Sequence, residues 1–185
     1  MALTDQMVRA SKLEVPFYEE VERDVNQTTN ALTVVVITAV AAGVSATISG
    51  VIHGAGTGPI LVGLIGGIIA AVIGWAVWCG IVYFVGTSLF GGTATWGEVL
   101  RTVGFAQSPN VLHIFGFIPV LGGLINFVAA IWTLIAGIVA VRQSLDISTG
   151  AAIVVSVIGA IVYAVIFLVI GAVLGLGNLL VGAVS

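Results

Sequence analysis

Charge is what this 185-residue sequence most lacks: charged side chains make up 7% of it, against roughly a quarter in soluble domains, while 59% of it is hydrophobic. Five basic and eight acidic residues cannot give a water-soluble fold of this length a polar surface. The few basic residues form no patch, which excludes the electrostatic footprint of a nucleic-acid binder. Cys79 is the sole cysteine. A disulfide framework and a thiolate metal site are thereby excluded, and Cys79 reads as a small packing residue. His53 and His113 have no carboxylate or thiolate companion at ligand spacing, so no metal is expected. HExxH, GxSxG and a phosphate-binding glycine loop with its lysine are absent. No Asp lies inside an apolar run. The sequence therefore reads as non-enzymatic, with no catalytic residue and no cofactor. No cleavable leader is expected, because the first thirty residues are polar and acidic; the first hydrophobic helix would act as its own insertion signal.

What the sequence has is long apolar runs, of the roughly 20 residues that cross a bilayer as a helix. They lie at about 31–52, 60–89, 98–118, 122–141 and 151–174. The fold class expected is an all-α, polytopic membrane bundle of five transmembrane helices. Four is the alternative, because the stretch from Val99 to Val141 could instead form a hairpin that does not fully cross. The connections at 53–59, 91–97, 119–122 and 142–150 are rich in Gly, Pro and small polar residues, as turns are. Residues 1–29 form a separate N-terminal segment holding nine of the thirteen charges. Within it, Phe17, Val21 and Val25 recur every four residues, the pattern of a short amphipathic helix. Glu19 and Arg23 are spaced as an ion pair on another face.

Orientation follows from the basic residues. With the N-terminus cytoplasmic and five crossings, Arg9, Lys12, Arg23, Arg101 and Arg142 all fall inside, as the positive-inside rule requires, and the C-terminus lies outside. Trp96 falls at an interface and Trp132 near mid-membrane, where packing between helices is expected. Small residues four apart, among them Gly63 with Gly67 and Ala70 with Gly74, suit close helix contact within the chain.

Polar groups in an apolar layer are costly and mark the places where chemistry could sit. The densest cluster is Gln107, Ser108, Pro109, Asn110 and His113, with Asn126 at similar depth on the next helix. Pro109 cannot donate to the carbonyl of Phe105, so a break is expected there, healed by neighbouring side chains. Gln107, Asn110 and His113 follow three-residue steps and share one broad face. The alternatives are a healed kink and a kinked helix lining a polar cavity or a partner-binding groove. A second constellation is Glu98, Arg101, Arg142 and Asp146, expected at the cytoplasmic helix ends as an ion-pair network.

The segments VPFYEEVERDV at 15–25, EVLRTVGFAQSPNVL at 98–112, IPVLGG at 118–123 and AAIWTLIAGIVAVRQSLDIST at 129–149 resemble the Yip family of small multi-spanning membrane proteins, in its compact prokaryotic form. The likeness runs from about Val15 to Val173, and the family's Gly-Tyr motif corresponds to Gly104 and Phe105. The resemblance implies a five-helix bundle with a cytoplasmic N-terminus in the cell membrane of a prokaryote. It also implies a role in organising membrane, or a trafficking-like and membrane-shaping role, with membrane lipids, other membrane proteins or a second copy as partners. The family's DLYGP motif and the long N-terminus of its eukaryotic members are absent, which counts against a GTPase partner. The alternative function is a transporter, channel or lipid-translocating protein using a polar cavity at the broken third helix.

Overall fold

A computed structural model describes residues 1–54 and 60–184; the expected connection at 53–59 lies largely outside the described residues. Seven α-helices follow one another: α1 (Leu3–Ser11), α2 (Val15–Arg23), α3 (Gln27–Ile52), α4 (Ile60–Phe90), α5 (Trp96–Ala106), α6 (Leu121–Leu145) and α7 (Thr149–Val184). A 3₁₀ helix, Ser108–Phe115, lies between α5 and α6. Among the described residues no strand forms.

Among the described residues, four helices are long and apolar enough to cross a membrane, over Gln27–Ile52, Gly63–Phe90, Leu121–Leu145 and Thr149–Ile170. Their outer faces expose large apolar side chains, including Ile65, Ile73, Phe84, Phe127, Ile161 and Leu168. Such a shell suits hydrocarbon as the surrounding solvent and would associate in water. The expected third spanning helix over 98–118 does not form as one helix. It divides into α5 and the 3₁₀ helix, because Pro109 has no N–H to continue the ladder. The last helix runs well past 174, to Val184.

The broken element is the centre of the structure. In α5, Val99 and every residue from Arg101 to Ala106 are buried, followed by Ser108 and Pro109. α5 packs on α3, α4 and α6, and the 3₁₀ helix continues along α3 and α6. Gly104 sets the spacing: a Cβ there would stand 2.8 Å from the Cβ of Ala31 and 3.2 Å from its carbonyl oxygen. Phe105 is fully buried, and its ring meets that of Phe17 edge-on at 5.1 Å. Cys79 is buried, as a packing residue would be, with its Sγ 3.9 Å from the Val99 carbonyl.

The N-terminal segment forms two helices, not one, and both dock on α5 and α6. Phe17, Tyr18 and Val21 are buried, but Val25 is exposed because α2 ends at Arg23. The Tyr18 hydroxyl donates to the Ala10 carbonyl at 3.1 Å, and burial pushes its phenol pKa up. Arg9 joins the pair, bonding Glu14 at 2.8 Å and Glu20 at 2.9 Å while lying over the Phe17 ring. Trp132 does not pack between membrane helices as expected. It is partly exposed, and its indole N–H donates to the Ser11 carbonyl at 2.7 Å. The reason is that the hairpin of α1 and α2 reaches about halfway along α6 and covers that flank.

Substitutions at two glycines separate close contact from open helix surface. Gly104→Ala should lower stability by about 1–3 kcal/mol, because its methyl group meets backbone as well as a side chain. Gly67→Ala, with nothing within 4 Å, should change it by about 0.5 kcal/mol or less. Thermal denaturation in detergent reads both.

Candidate functional site

The site grows out of the break. Pro109 frees the Phe105 carbonyl, and the Ser108 hydroxyl donates to it at 2.6 Å. Left unpaired in the interior, that carbonyl would cost about 1–3 kcal/mol. The chain then continues with the tighter 3₁₀ winding, in which residues three apart eclipse. Eight residues is long for such a helix, and its winding sets Gln107, Asn110 and His113 in one column.

Hydrogen bonds join the column into a chain. The Asn110 amide donates to Gln107 Oε1 at 2.7 Å. Asn110 Oδ1 accepts from the Thr133 hydroxyl at 2.8 Å and faces His113 Nε2 at 3.2 Å. His113 Nδ1 lies 2.8 Å from Asn126 Oδ1. A neutral imidazole has one donor and one acceptor, so two oxygens leave one contact without a hydrogen. Exchanging the ends of the Asn126 amide puts its NH₂ against Nδ1 and satisfies both. Gly116 closes the column: a Cβ there would stand 2.9 Å from the Asn126 amide and from the Ser45 hydroxyl.

Three cavities border this column. The largest, about 510 Å³, lies among α3, α4 and α7 and is lined by Thr38, Trp75, Trp78, Gln107, His113 and Tyr163 among others. A second, about 390 Å³, lies among α5, α6 and α7 and shares Trp78 and Gln107 with the first. A third, about 280 Å³, shares His113 with the first and reaches Ser45, Ser49 and Asn126. Ser108 heals the backbone, and the column behind it lines open space. Sequence reasoning missed Trp75, Trp78 and Tyr163. Trp78 and Tyr163 meet edge-on at 5.9 Å, and a Cβ at Gly74 would lie 2.7 Å from the Tyr163 oxygen. The Ala70–Gly74 spacing was a signal for close contact, but it does not say which ring fills the space.

The Yip1 domain matches residues 14–180, spanning α2, the broken helix and most of α7. The chain belongs to the Yip1 domain family. No match was found among curated proteins or among solved structures. Within this Yip1 domain, Gly104 and Phe105 have separate physical tasks. The glycine lets α5 touch α3, and the ring beside it anchors α2.

The second constellation is corrected. Among the described residues Glu98, Arg101, Arg142 and Asp146 do not form an ion-pair network, because each is engaged with other partners. Glu98 closes a capping box with Thr95 at the start of α5. Asp146 takes a left-handed conformation that ends α6 and accepts from the Thr93 hydroxyl at 3.2 Å. Arg142 donates to Gln143 Oε1 at 2.8 Å. Arg101 is buried and points to the N-terminal hairpin. Its Nε donates to the Val21 carbonyl at 2.9 Å, and Nη2 donates to the Glu22 carbonyl. A cation thus caps the C-terminal end of α2, where the helix dipole is negative. Gln143 adds a bond from α6 to Glu19 at 3.2 Å. The Glu19–Arg23 pair forms at 3.9 Å on the exposed side.

Burial raises the Glu22 carboxyl pKa to about 7, helped by the negative charges of Asp146 and Glu98. A carboxyl raised on folding stabilises the docked hairpin below its ordinary value of 4.5, and that stability is lost as pH rises through about 7.

Two outcomes follow for the hairpin. Arg101→Ala should cost about 1.5–3 kcal/mol and expose the segment from Lys12 to Gln27 to limited proteolysis. The protection of α2 amides, taken relative to the intrinsic base-catalysed exchange rate at each pH, should rise on going from about pH 8 to about pH 5.5, and Glu22→Gln should flatten that dependence. Protection of α2 that falls or stays level on acidification removes the assignment to Glu22.

Proposed function

We propose that this Yip1-domain protein is a non-enzymatic, multi-pass membrane protein that organises its membrane by holding lipid in the cleft along the broken central helix. The observation that carries the reading is the column of Gln107, Asn110 and His113 bordering open space between helices whose outer faces are apolar. Amides, hydroxyls and one imidazole suit binding; the column contains no nucleophile paired with a base. Placing the hairpin in the cytoplasm is supported by the charges, since Arg23, Arg101 and Arg142 gather at the end where α3 begins and α6 finishes. The C-terminus then lies outside. The 11 residues of α5 and eight of the 3₁₀ helix extend about 32 Å, enough for a fifth crossing of a core of about 30 Å.

A second reading, lipid translocation or transport, is favoured by the sequence of cavities. The first shares residues with each of the other two, and together they run from the α6–α7 junction past Gln107 and His113 to Asn126 near the start of α6. Self-association is a companion of either reading. It is supported by Gly63 and Gly67, exposed on α4 with nothing within 4 Å among the described residues. The trafficking-like role rests on family membership alone.

Native mass spectrometry of the protein released from detergent should show retained lipid, and liposomes containing the protein should show no flux above empty vesicles. Fully delipidated, folded protein would overturn the lipid-holding reading. Head-group exchange between leaflets would replace it with translocation, and crosslinking in native membranes that yields only monomer would remove self-association.

A further inference from the structure

The largest cavity combines features that define a ligand. Its wall includes Trp75, 9% exposed, whose indole N–H is buried and has no hydrogen-bond partner among the described residues. A buried donor left unpaired costs about 1–3 kcal/mol, and few persist in folded proteins without a reason. Gln107 is the second open donor. Its Oε1 accepts from Asn110, while its NH₂ meets no acceptor among the described residues and the side chain borders two cavities. The Thr38 hydroxyl, by contrast, is already turned to the Val35 carbonyl at 3.0 Å. The site therefore offers hydrogen-bond donors and asks for oxygen acceptors.

Charge narrows the choice. No Asp, Glu, Lys or Arg is among the described residues lining any of the three cavities. An ionised head group carried to this depth would lose its hydration without meeting a counter-charge, and that cost is large. A head group bearing carbonyl, ester or hydroxyl oxygens pays no such penalty. Asn110, His113 and Tyr163 also line it, and the rest of the wall is apolar, with Val35, Ala39, Ala42, Ala70 and Ala71 leaving room between helices for an acyl or alkyl chain. Trp78 and Tyr163 supply flat rings at the same level.

We propose that this cavity binds a lipid whose head is uncharged and oxygen-bearing, a diacylglycerol or a long-chain alcohol, held by donation from Trp75 Nε1 and Gln107 Nε2. The assignment rests on the lipid-holding reading above and gives it a substrate class. The hydroxyl oxygen is the shared recognition element of the two lipids.

The test uses the full chain reconstituted in phosphatidylcholine vesicles, each doped with one photoactivatable probe: diacylglycerol, a long-chain alcohol, phosphatidylcholine or phosphatidylglycerol. Sites of labelling are mapped by mass spectrometry. The uncharged probes should label peptides containing Trp75, Trp78 and Gln107 several-fold more than the charged and zwitterionic ones, and the two uncharged arms identify which lipid is preferred. Trp75→Phe, which removes only the indole donor and some ring area, should lower that labelling by about three- to tenfold. Ala70→Phe, which fills the cavity from α4 without touching the column, should abolish it. Equal labelling by all four probes, or labelling unchanged in Trp75→Phe, overturns the head-group assignment while leaving lipid holding intact. No labelling of the cleft by any probe, in protein that still melts cooperatively, overturns both.

Discussion

The missing N–H of Pro109 is the constraint on which the rest of this structure depends. A continuous α-helix through 98–118 would have spread Gln107, Asn110 and His113 around a broad arc. The 3₁₀ winding that follows the break stacks them instead, so that each can reach the next. Stacked side chains satisfy one another laterally, and Asn110 ties the stack to α6 through Thr133. The Ser108 bond to Phe105 makes the break affordable, since without it a buried carbonyl would face apolar neighbours. Local covalent chemistry at one residue thus decides where polarity is concentrated in an otherwise apolar bundle.

Much of this was legible before the structure. The apolar runs announce four of the long helices, because hydropathy over twenty residues is a strong signal that tertiary contacts rarely override. The break at Pro109 and its repair by a neighbouring hydroxyl were equally readable, because proline's defect is a property of the residue itself. The column was readable in composition, though its winding was not. What sequence could not supply were partners at long separation. Arg101 meets carbonyls about eighty positions away, and nothing in its neighbourhood distinguishes that from pairing with Glu98 one turn earlier. Glu98 and Asp146 looked like ion-pair candidates, but both are used at helix ends, a competition that charge spacing does not reveal. Trp75 and Tyr163 belong to the cavity only because α4 and α7 cross there.

The hairpin gives the central helix its second wall. Phe17 against Phe105, Arg101 against the end of α2, and Trp132 against Ser11 are three different interactions placed along one flank. The last two use polar groups that are expensive to leave unpaired inside a membrane protein. The N-terminal segment is consequently part of the fold and not a leader to it, and α5 is enclosed on that side by protein. Glu22 sits at the junction, where its raised pKa makes the docked state sensitive to protons.

These two flanks divide the labour of the broken helix. On the hairpin side α5 is sealed, with Val99 and residues 101–106 buried and its one cation spent on backbone carbonyls. On the α4–α7 side the same element turns amides toward cavities. Charge is kept to the first flank and neutral polarity to the second. A site meant for ions would reverse that arrangement, because a buried counter-charge is the cheapest way to hold one. The separation of Arg101 from Gln107, fewer than two helical turns apart along one chain, is therefore the strongest physical argument that whatever enters the cleft carries no net charge.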